Sequence, residues 1–203
     1  MSTIFVQLPS DLTNSLTTNA GIILTTFNPA SVGTASAIRE NILAATSGGV
    51  NVSCVATYSD LGEDVDNAPK NTKELKHLDG WECKMSGTAI TVSTAIAKKL
   101  LGSATSSTTS GVDKIVVNNE LAGTDFNDLW YVCPYGTTDG FVAVKLVNAL
   151  NNGGFVMQST KNGKGTFTFE FIGHPSVESP DDIPIEFYIK ASSTSSVQNV
   201  TPT

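Results

Sequence analysis

Residues 161–172, KNGKGTFTFEFI, carry the clearest indication of the fold. Asn162-Gly163 is a dipeptide that tight β-hairpin turns favour, because both positions of such a turn need a positive φ. The segment after it alternates between an apolar face and a polar face, made respectively by Phe167, Phe169 and Phe171, and by Thr166, Thr168 and Glu170. This alternation is typical of an antiparallel sheet that turns one side toward water.

Similar patterns occur on both sides of this stretch and predict further strands. They cover residues 3–8, 21–27, 50–54, 81–92, 113–118, 129–132, 141–147 and 155–157. Near the C-terminus Ile183, Ile185, Phe187 and Ile189 repeat the buried face of the phenylalanine strand, with Glu186 and Lys190 opposite. Residues 141–147 are apolar on both faces, which predicts a central, covered strand.

One helix is well marked, over residues 94–101. Ser93 or Thr94 can cap its start, two lysines lie in its last turn, and Gly102 ends it. Residues 36–45 fit a short helix and a packed loop about equally, and the Ser/Thr-rich residues 103–110 predict a flexible loop. Eight or nine strands against one helix predict a mainly β fold, an antiparallel β-sandwich or partial barrel with one flanking α-helix.

Composition limits the classes of function. The chain has 203 residues, a formal net charge of −7, 40% hydrophobic and 15% charged residues. We expect a single domain over residues 1–190 and a flexible Ser/Thr-rich tail over 191–203. The acidic balance argues against a surface that attracts phosphates. The three cysteines form no CxxC and no zinc pattern, which favours reduced thiols. No signal peptide and no membrane span are expected.

A charged arm is predicted over about 58–80, YSDLGEDVDNAPKNTKELKHLDG, with a turn at Asp79-Gly80. Its acidic part precedes its basic part: Asp60, Glu63, Asp64 and Asp66, then Lys70, Lys73 and Lys76. Such segregated charge suits a head-to-tail contact between identical subunits, which closes into rings or grows into filaments. Residues 70–77 could form a short helix capped by Asn71.

The blocks YSDLGEDVDNAPKNTKEL (58–75), DGWECKMSGTAITVSTAIAKKLLG (79–102), GKGTFTFEFIGHPS (163–176) and DDIPIEFYI (181–189), with the opening GIILTTFNPA (21–30), together carry a family resemblance. In their order and combined length they resemble the major tail tube protein of long-tailed, non-contractile phages (the siphovirus type) of Gram-positive bacteria. The resemblance extends over most of the chain between residues 21 and 190.

The resemblance implies a structural virion protein assembled in the host cytoplasm. Proteins of this family form sixfold rings that stack into the tail tube, around a lumen lined by polar, largely acidic side chains. The implied partners are further copies of the chain, the tape-measure protein and the tail tip and terminator proteins, while DNA passes without specific binding. Glu170 and Glu186 are the candidates for the lumen, because each lies on the polar face of a predicted strand. No cofactor and no membrane binding are implied.

Other readings compete with this one. The acidic run lacks the spacing of an EF-hand loop, so a solvated or intersubunit patch is favoured over a calcium site. The chain lacks GxSxG, the motif of a serine nucleophile. A catalytic Cys83–His77 couple is an alternative that the sequence leaves open, but an enzyme is not expected. The alternatives to a phage tail tube are the tube of a phage-derived bacteriocin particle and a monomeric β-sandwich binding or decoration module.

Overall fold

The computed structural model describes residue 12 and residues 15–17, 19–32, 35–136 and 139–191. Its eleven described strands are β1 (Ile22–Leu24), β2 (Ile42–Ala44), β3 (Thr46–Asp60), β4 (Lys76–Ala89), β5 (Ala104–Thr109), β6 (Val112–Val117), β7 (Asn127–Tyr135), β8 (Gly140–Asn151), β9 (Val156–Gln158), β10 (Thr166–Ile172) and β11 (Ile185–Lys190). Two helices, α1 (Ala35–Glu40) and α2 (Thr94–Leu100), complete the described fold. The predicted strand at 3–8 and the tail beyond residue 191 lie outside the described residues.

The strands form an antiparallel sandwich, which confirms the predicted fold class. Sheet A has the order β2-β1-β7-β8-β11, and sheet B contains β3, β4, β10 and β9. Strand β8 joins them: it pairs with β7 and β11 along most of its length and with β10 at Leu150 and Asn151. Asn148, with a φ of 47°, lies just before this change of partner. The small β5–β6 hairpin forms a sheet of its own.

The main core lies between the two sheets. Sheet B contributes the three phenylalanines of β10 together with Cys83 and Met85, and sheet A contributes Leu129, Val144 and Leu146. Helix α2 closes one side with Ile96 and Leu100, the latter fully buried. A second cluster, on the other face of sheet A, contains Leu24, Trp130, Phe141 and Ala143, with Ile38 of α1 packed against it.

Local sequence explains the elements that were predicted well. The Ser93 hydroxyl accepts a hydrogen bond from the Ile96 amide and so caps α2, as expected, and Gly102 follows the helix with a φ of 78°. Strand β8 is largely buried on both faces, as its apolar pattern predicts. The phenylalanine face of β10 is buried, and β9 and β10 form a hairpin as expected. The connection is not the tight turn that Asn162-Gly163 favours: it spans residues 159–165, and of the two residues only Asn162 has a positive φ.

Three predictions about elements were wrong. Residues 104–109 are a strand and not a flexible loop, because they pair with β6 through the Ser110-Gly111 turn, where both residues have positive φ. Helix α1 ends at Glu40, and Ile42–Ala44 instead pairs with β1. Asp79-Gly80 is not a turn: it lies inside β4, at a register irregularity opposite Thr57 and Tyr58.

The C-terminal strand is only partly buried, which corrects a further prediction. Ile185 is buried as expected, but Ile183, Phe187 and Ile189 are 44%, 58% and 69% exposed. Among the described strands β11 pairs only with β8, so it lies at the edge of sheet A. The alternating pattern therefore identified a strand, but no described layer of sheet B covers this part of its face.

Candidate assembly surfaces

The charged arm is the far half of the β3–β4 hairpin, together with the loop that joins the two strands. The ladder runs without a break in pairing from Cys54–Cys83 out to Asp60–Lys76, apart from the irregularity at Thr57. The side chain of Cys83 is fully buried, whereas Trp81 and Leu78, further along β4, are 39% and 44% exposed. The arm therefore begins where the sandwich core ends.

Asp60 organises the loop at the end of the arm. Its carboxylate accepts backbone hydrogen bonds from Asn71 (2.9 Å) and Gly62 (3.0 Å). These two donors, with the nearby Lys76 charge, hold the pKa of Asp60 below its usual value. Lys76 faces Asp60 across the ladder and donates to the Asn71 side chain at 3.2 Å. Asp60 and Lys76 thus act within the arm.

The other five predicted arm residues point their charges outward. Glu63, Asp64 and Asp66 are exposed in the loop, as are Lys70 and Lys73, the latter at the start of a short 3₁₀ turn (Lys73–Leu75). This turn, preceded by Thr72, replaces the helix that was predicted from Asn71. Among the described residues, none of these five enters an ion pair within 4 Å. Their charges remain available to a partner.

Apolar side chains on the arm are a feature that sequence reasoning missed. Tyr58 and Leu78 face each other across the ladder and are 55% and 44% exposed. Leu61 and Val65 in the loop are 62% and 54% exposed. The sequence does show these apolar residues, because they interrupt the run of charged residues. An interpretation based on the charge pattern alone passes over them. The arm therefore offers both charge and apolar surface.

Glu170 lies on the outer face of sheet B. Directly paired residues share a face, so this surface can be followed across the strands: Ser47, Asn51, Ser53, Val55, Glu82, Lys84, Ser86, Thr88, Val156, Gln158, Thr166, Thr168, Glu170 and Ile172. Hydroxyl and amide groups are the most numerous, and two apolar side chains, Val55 and Val156, are also exposed on this face (54% and 51%). Lys84 and Glu82 neutralise each other at 3.1 Å, whereas Glu170 has no ion-pair partner among the described residues. The face is polar and carries one unbalanced negative charge.

Glu186 lies on the outer face of sheet A, opposite Lys145. Lys145 lies 2.9 Å from Asp128 and 3.7 Å from Glu186, and it is stacked over the Trp130 ring. Burial alone would lower the pKa of Lys145, but the hydrogen bond to Asp128 and the two carboxylate charges raise it. Tyr188 donates to Glu186, which raises the pKa of that phenol. Glu186 thus shares a single lysine with Asp128, and it does not share a face with Glu170.

The candidate catalytic couple is not assembled. Cys83 lies against Cys54, with 3.3 Å between the two sulfurs, whereas His77 is opposite Ser59 in the arm. Six residues of strand separate Cys83 and His77 by roughly 20 Å. In the described part of the chain, no group of three or more His, Cys, Asp or Glu side chains is placed to hold a metal ion. Nor does that part contain a helix with the length and hydropathy to cross a membrane.

No protein-family model matches the chain. A search of curated proteins also finds no match. What the chain does must therefore be argued from its own residues.

Proposed function

We propose that this chain is a major tail tube protein of a siphovirus-type phage. Its copies form sixfold rings, the rings stack into the tail tube, and the tube conducts the genome during delivery. The tape-measure protein occupies the lumen during assembly, and tail tip and terminator proteins meet the two ends of the tube. The site of assembly is the host cytoplasm, and the mature location is the virion.

The observation that carries the proposal is the arm. Two strands of the main sandwich continue beyond its core and end in a loop that Asp60 holds in shape. An extended hairpin that covers no core is marginally stable by itself. The arm nevertheless has defined local hydrogen bonds, outward charges and exposed apolar side chains. These are properties of a contact element that is formed before it binds. A second copy of the chain presents the same acidic and basic residues, so that each charge on one arm can meet a charge of opposite sign.

The outer face of sheet B supports a role as the lumen wall. Most of its side chains are hydroxyl and amide groups, with a few apolar side chains, a neutral Lys84–Glu82 pair and Glu170 as its unbalanced charge. A negative wall offers DNA phosphates no counterion-releasing contact, so that DNA can slide past it. Of the two candidate lumen residues we therefore retain Glu170. Glu186 belongs to the Lys145 network on the opposite side of the sandwich.

The exposed sheet edges suit ring closure. Within the described fold β3 and β9 lie at the two ends of sheet B, and β11 and β2 lie at the ends of sheet A. Unpaired strand edges invite uncontrolled association in a monomer. In a ring, the edge of one subunit can pair with or pack against that of the next. Assembly then uses the feature that a monomeric binding module would have to protect.

The test is assembly with charge reversal on the arm. Lys70→Glu with Lys73→Glu should leave the subunit folded, because both side chains are exposed and unpaired in the described structure. Lys76 is kept, because a glutamate there would face Asp60 and disturb the loop. A matched control, Lys161→Glu with Lys164→Glu, makes the same charge change at exposed lysines outside the arm.

Negative-stain electron microscopy at rising protein concentration, with a tail-tip extract as nucleus, provides the measurement. The unmodified chain and the control should form hollow tubes with countable ring symmetry, and the arm variant should form few or short ones. If the arm variant forms tubes of normal length, the arm is not the stacking contact. If the unmodified chain stays monomeric even with the nucleus, the protein is a binding module instead.

A further inference from the structure

We propose that Cys54 and Cys83 form a redox-sensitive dithiol site, which closes to a disulfide when a small-molecule disulfide such as oxidised glutathione reaches the folded protein. The site lies at the base of the arm, where its two strands leave the core. The inference does not depend on tube assembly, because it concerns the isolated subunit. It assigns a covalent modification to residues that the proposed function leaves unused.

The backbone already places the two cysteines correctly. They are directly opposite each other on the antiparallel strands β3 and β4, and their sulfurs are 3.3 Å apart. Directly opposed residues of an antiparallel pair have Cα atoms about 4.5–5.5 Å apart. This lies within the range of about 4.4–6.8 Å that disulfides require. The bond can therefore form without moving the strands.

Burial determines the order of the steps. Cys83 is fully buried beside Met85, whereas Cys54 is only half-buried. The Cys54 thiolate attacks one sulfur of the glutathione disulfide, forming a mixed disulfide and releasing one glutathione thiolate. The Cys83 thiol then loses its proton, attacks the Cys54 sulfur and displaces the second glutathione. The two cysteines lose two electrons and two protons in total, and glutathione disulfide is reduced to two thiols.

The second step should be the slow one near neutral pH. Burial and the adjacent Cys54 sulfur raise the pKa of Cys83 to about 12. The thiolate is the nucleophile in exchange, so that only a small fraction of Cys83 is reactive at pH 7. The distance of 3.3 Å between the two sulfurs offsets this small reactive fraction in part, because the attack is intramolecular. We therefore expect the closure rate to rise with pH up to the most alkaline value at which the protein stays folded.

The third cysteine serves as an internal reference. Cys133 is buried in β7 of sheet A, opposite Val142, and so belongs to the other layer of the sandwich. Closure of the proposed site should leave its thiol free. The pair would remain reduced in a reducing cytoplasm and would close in an oxidising exterior.

The experiment incubates the reduced, folded protein with oxidised glutathione at pH 8 and maps thiols and disulfide-linked peptides by mass spectrometry. We expect a mass lower by two hydrogen atoms, a single Cys54–Cys83 linked peptide pair and an unmodified Cys133. Dithiothreitol should reverse the change fully. The closed form should melt about 6–12 °C higher, because the bond closes a loop with a sequence separation of 29 residues.

Two comparisons make the result decisive. In denaturant, pairings that include Cys133 should appear, because the geometric preference is lost. Cys54→Ser should abolish the linked pair, whereas Cys133→Ser should retain it; circular dichroism verifies that both variants fold. The proposal would be overturned if the folded protein kept three free thiols after exposure, or if the linked pair included Cys133. It would also be overturned by a glutathione adduct on Cys54 that Cys83 never resolves, or by an unchanged melting temperature of the closed form.

Discussion

At the scale of single residues, Asn151 joins three parts of the fold. It is buried at the end of β8, where that strand pairs with sheet B. Its side-chain amide donates to the carbonyls of Leu100 (2.7 Å) and Gly154 (3.0 Å), and its carbonyl oxygen accepts from the Glu170 amide (3.0 Å). One side chain thus satisfies backbone groups of α2, of the following turn and of β10.

Asn151→Ala should lower the free energy of unfolding by about 2–4 kcal/mol, because it leaves these buried backbone groups without partners. The neighbouring Asn152→Ala is the control. That side chain is exposed, and the hydrogen bond to Glu170 comes from its backbone amide. Its effect should stay within about 0.5 kcal/mol. Urea denaturation followed by circular dichroism measures both, and equal effects would show that Asn151 has no special role.

At the scale of elements, the arm combines a regular ladder with a loop that depends on one carboxylate. Asp60 stabilises the loop most strongly in its ionised form, because both of its oxygens accept bonds from backbone amides and a protonated carboxyl group accepts such bonds less well. Its pKa is lowered in the folded protein. Its contribution to stability is therefore complete above the unfolded-state pKa, and it is lost as the pH falls through the lower folded-state pKa.

Acidification should loosen the loop at a pH below 3.8, the ordinary pKa of an aspartate. In nuclear magnetic resonance spectra, the amide protons of Gly62 and Asn71 should titrate with an apparent pKa under that value. The amide of Ile90, which donates to Ala45, provides a control outside the arm. Asp60→Asn should remove the titration, and its persistence in that variant would assign the effect to another carboxylate.

At the scale of the whole molecule, exposed apolar surface remains at the edge of sheet A. Phe187 and Ile189 of β11 point to the same side as the buried Val144 of β8, yet both stay more than half exposed. If assembly covers this surface, the two side chains contribute to contacts between subunits and little to the fold of one subunit. Stability and assembly can therefore be separated by mutation.

Phe187→Thr with Ile189→Thr should change the free energy of unfolding of the dilute subunit by no more than about 1 kcal/mol, because little buried area is lost and threonine suits a strand. The same variant should form fewer tubes, as measured by electron microscopy. Phe169→Thr, at a core position, should cost about 3–5 kcal/mol. A loss of stability as large as that of Phe169→Thr would show that Phe187 and Ile189 belong to the core of the subunit.

The accuracy of the sequence predictions depended on how local each determinant is. Strand β10 and helix α2 were predicted because alternation, cap and stop signals lie within a few residues. Strand β5 was missed because serine and threonine suit both loops and exposed hairpins, and only pairing with β6 distinguishes them. The strand Ile42–Ala44 was missed, since its residues were expected in a short helix or a packed loop, because a short apolar run fits either period until a partner strand is present.

The sequence by itself determined the fold class, the central position of β8, the extent of α2 and the outward charges of the arm, because these follow from periodicity, capping and the cost of burying charge. Only the tertiary structure decided which faces are covered. Glu170 and Glu186 have the same local pattern, yet they lie on different outer faces, because their strands belong to different sheets. The Cys54–Cys83 contact likewise depends on ladder register, since residues far apart in the chain meet only when the strands pair.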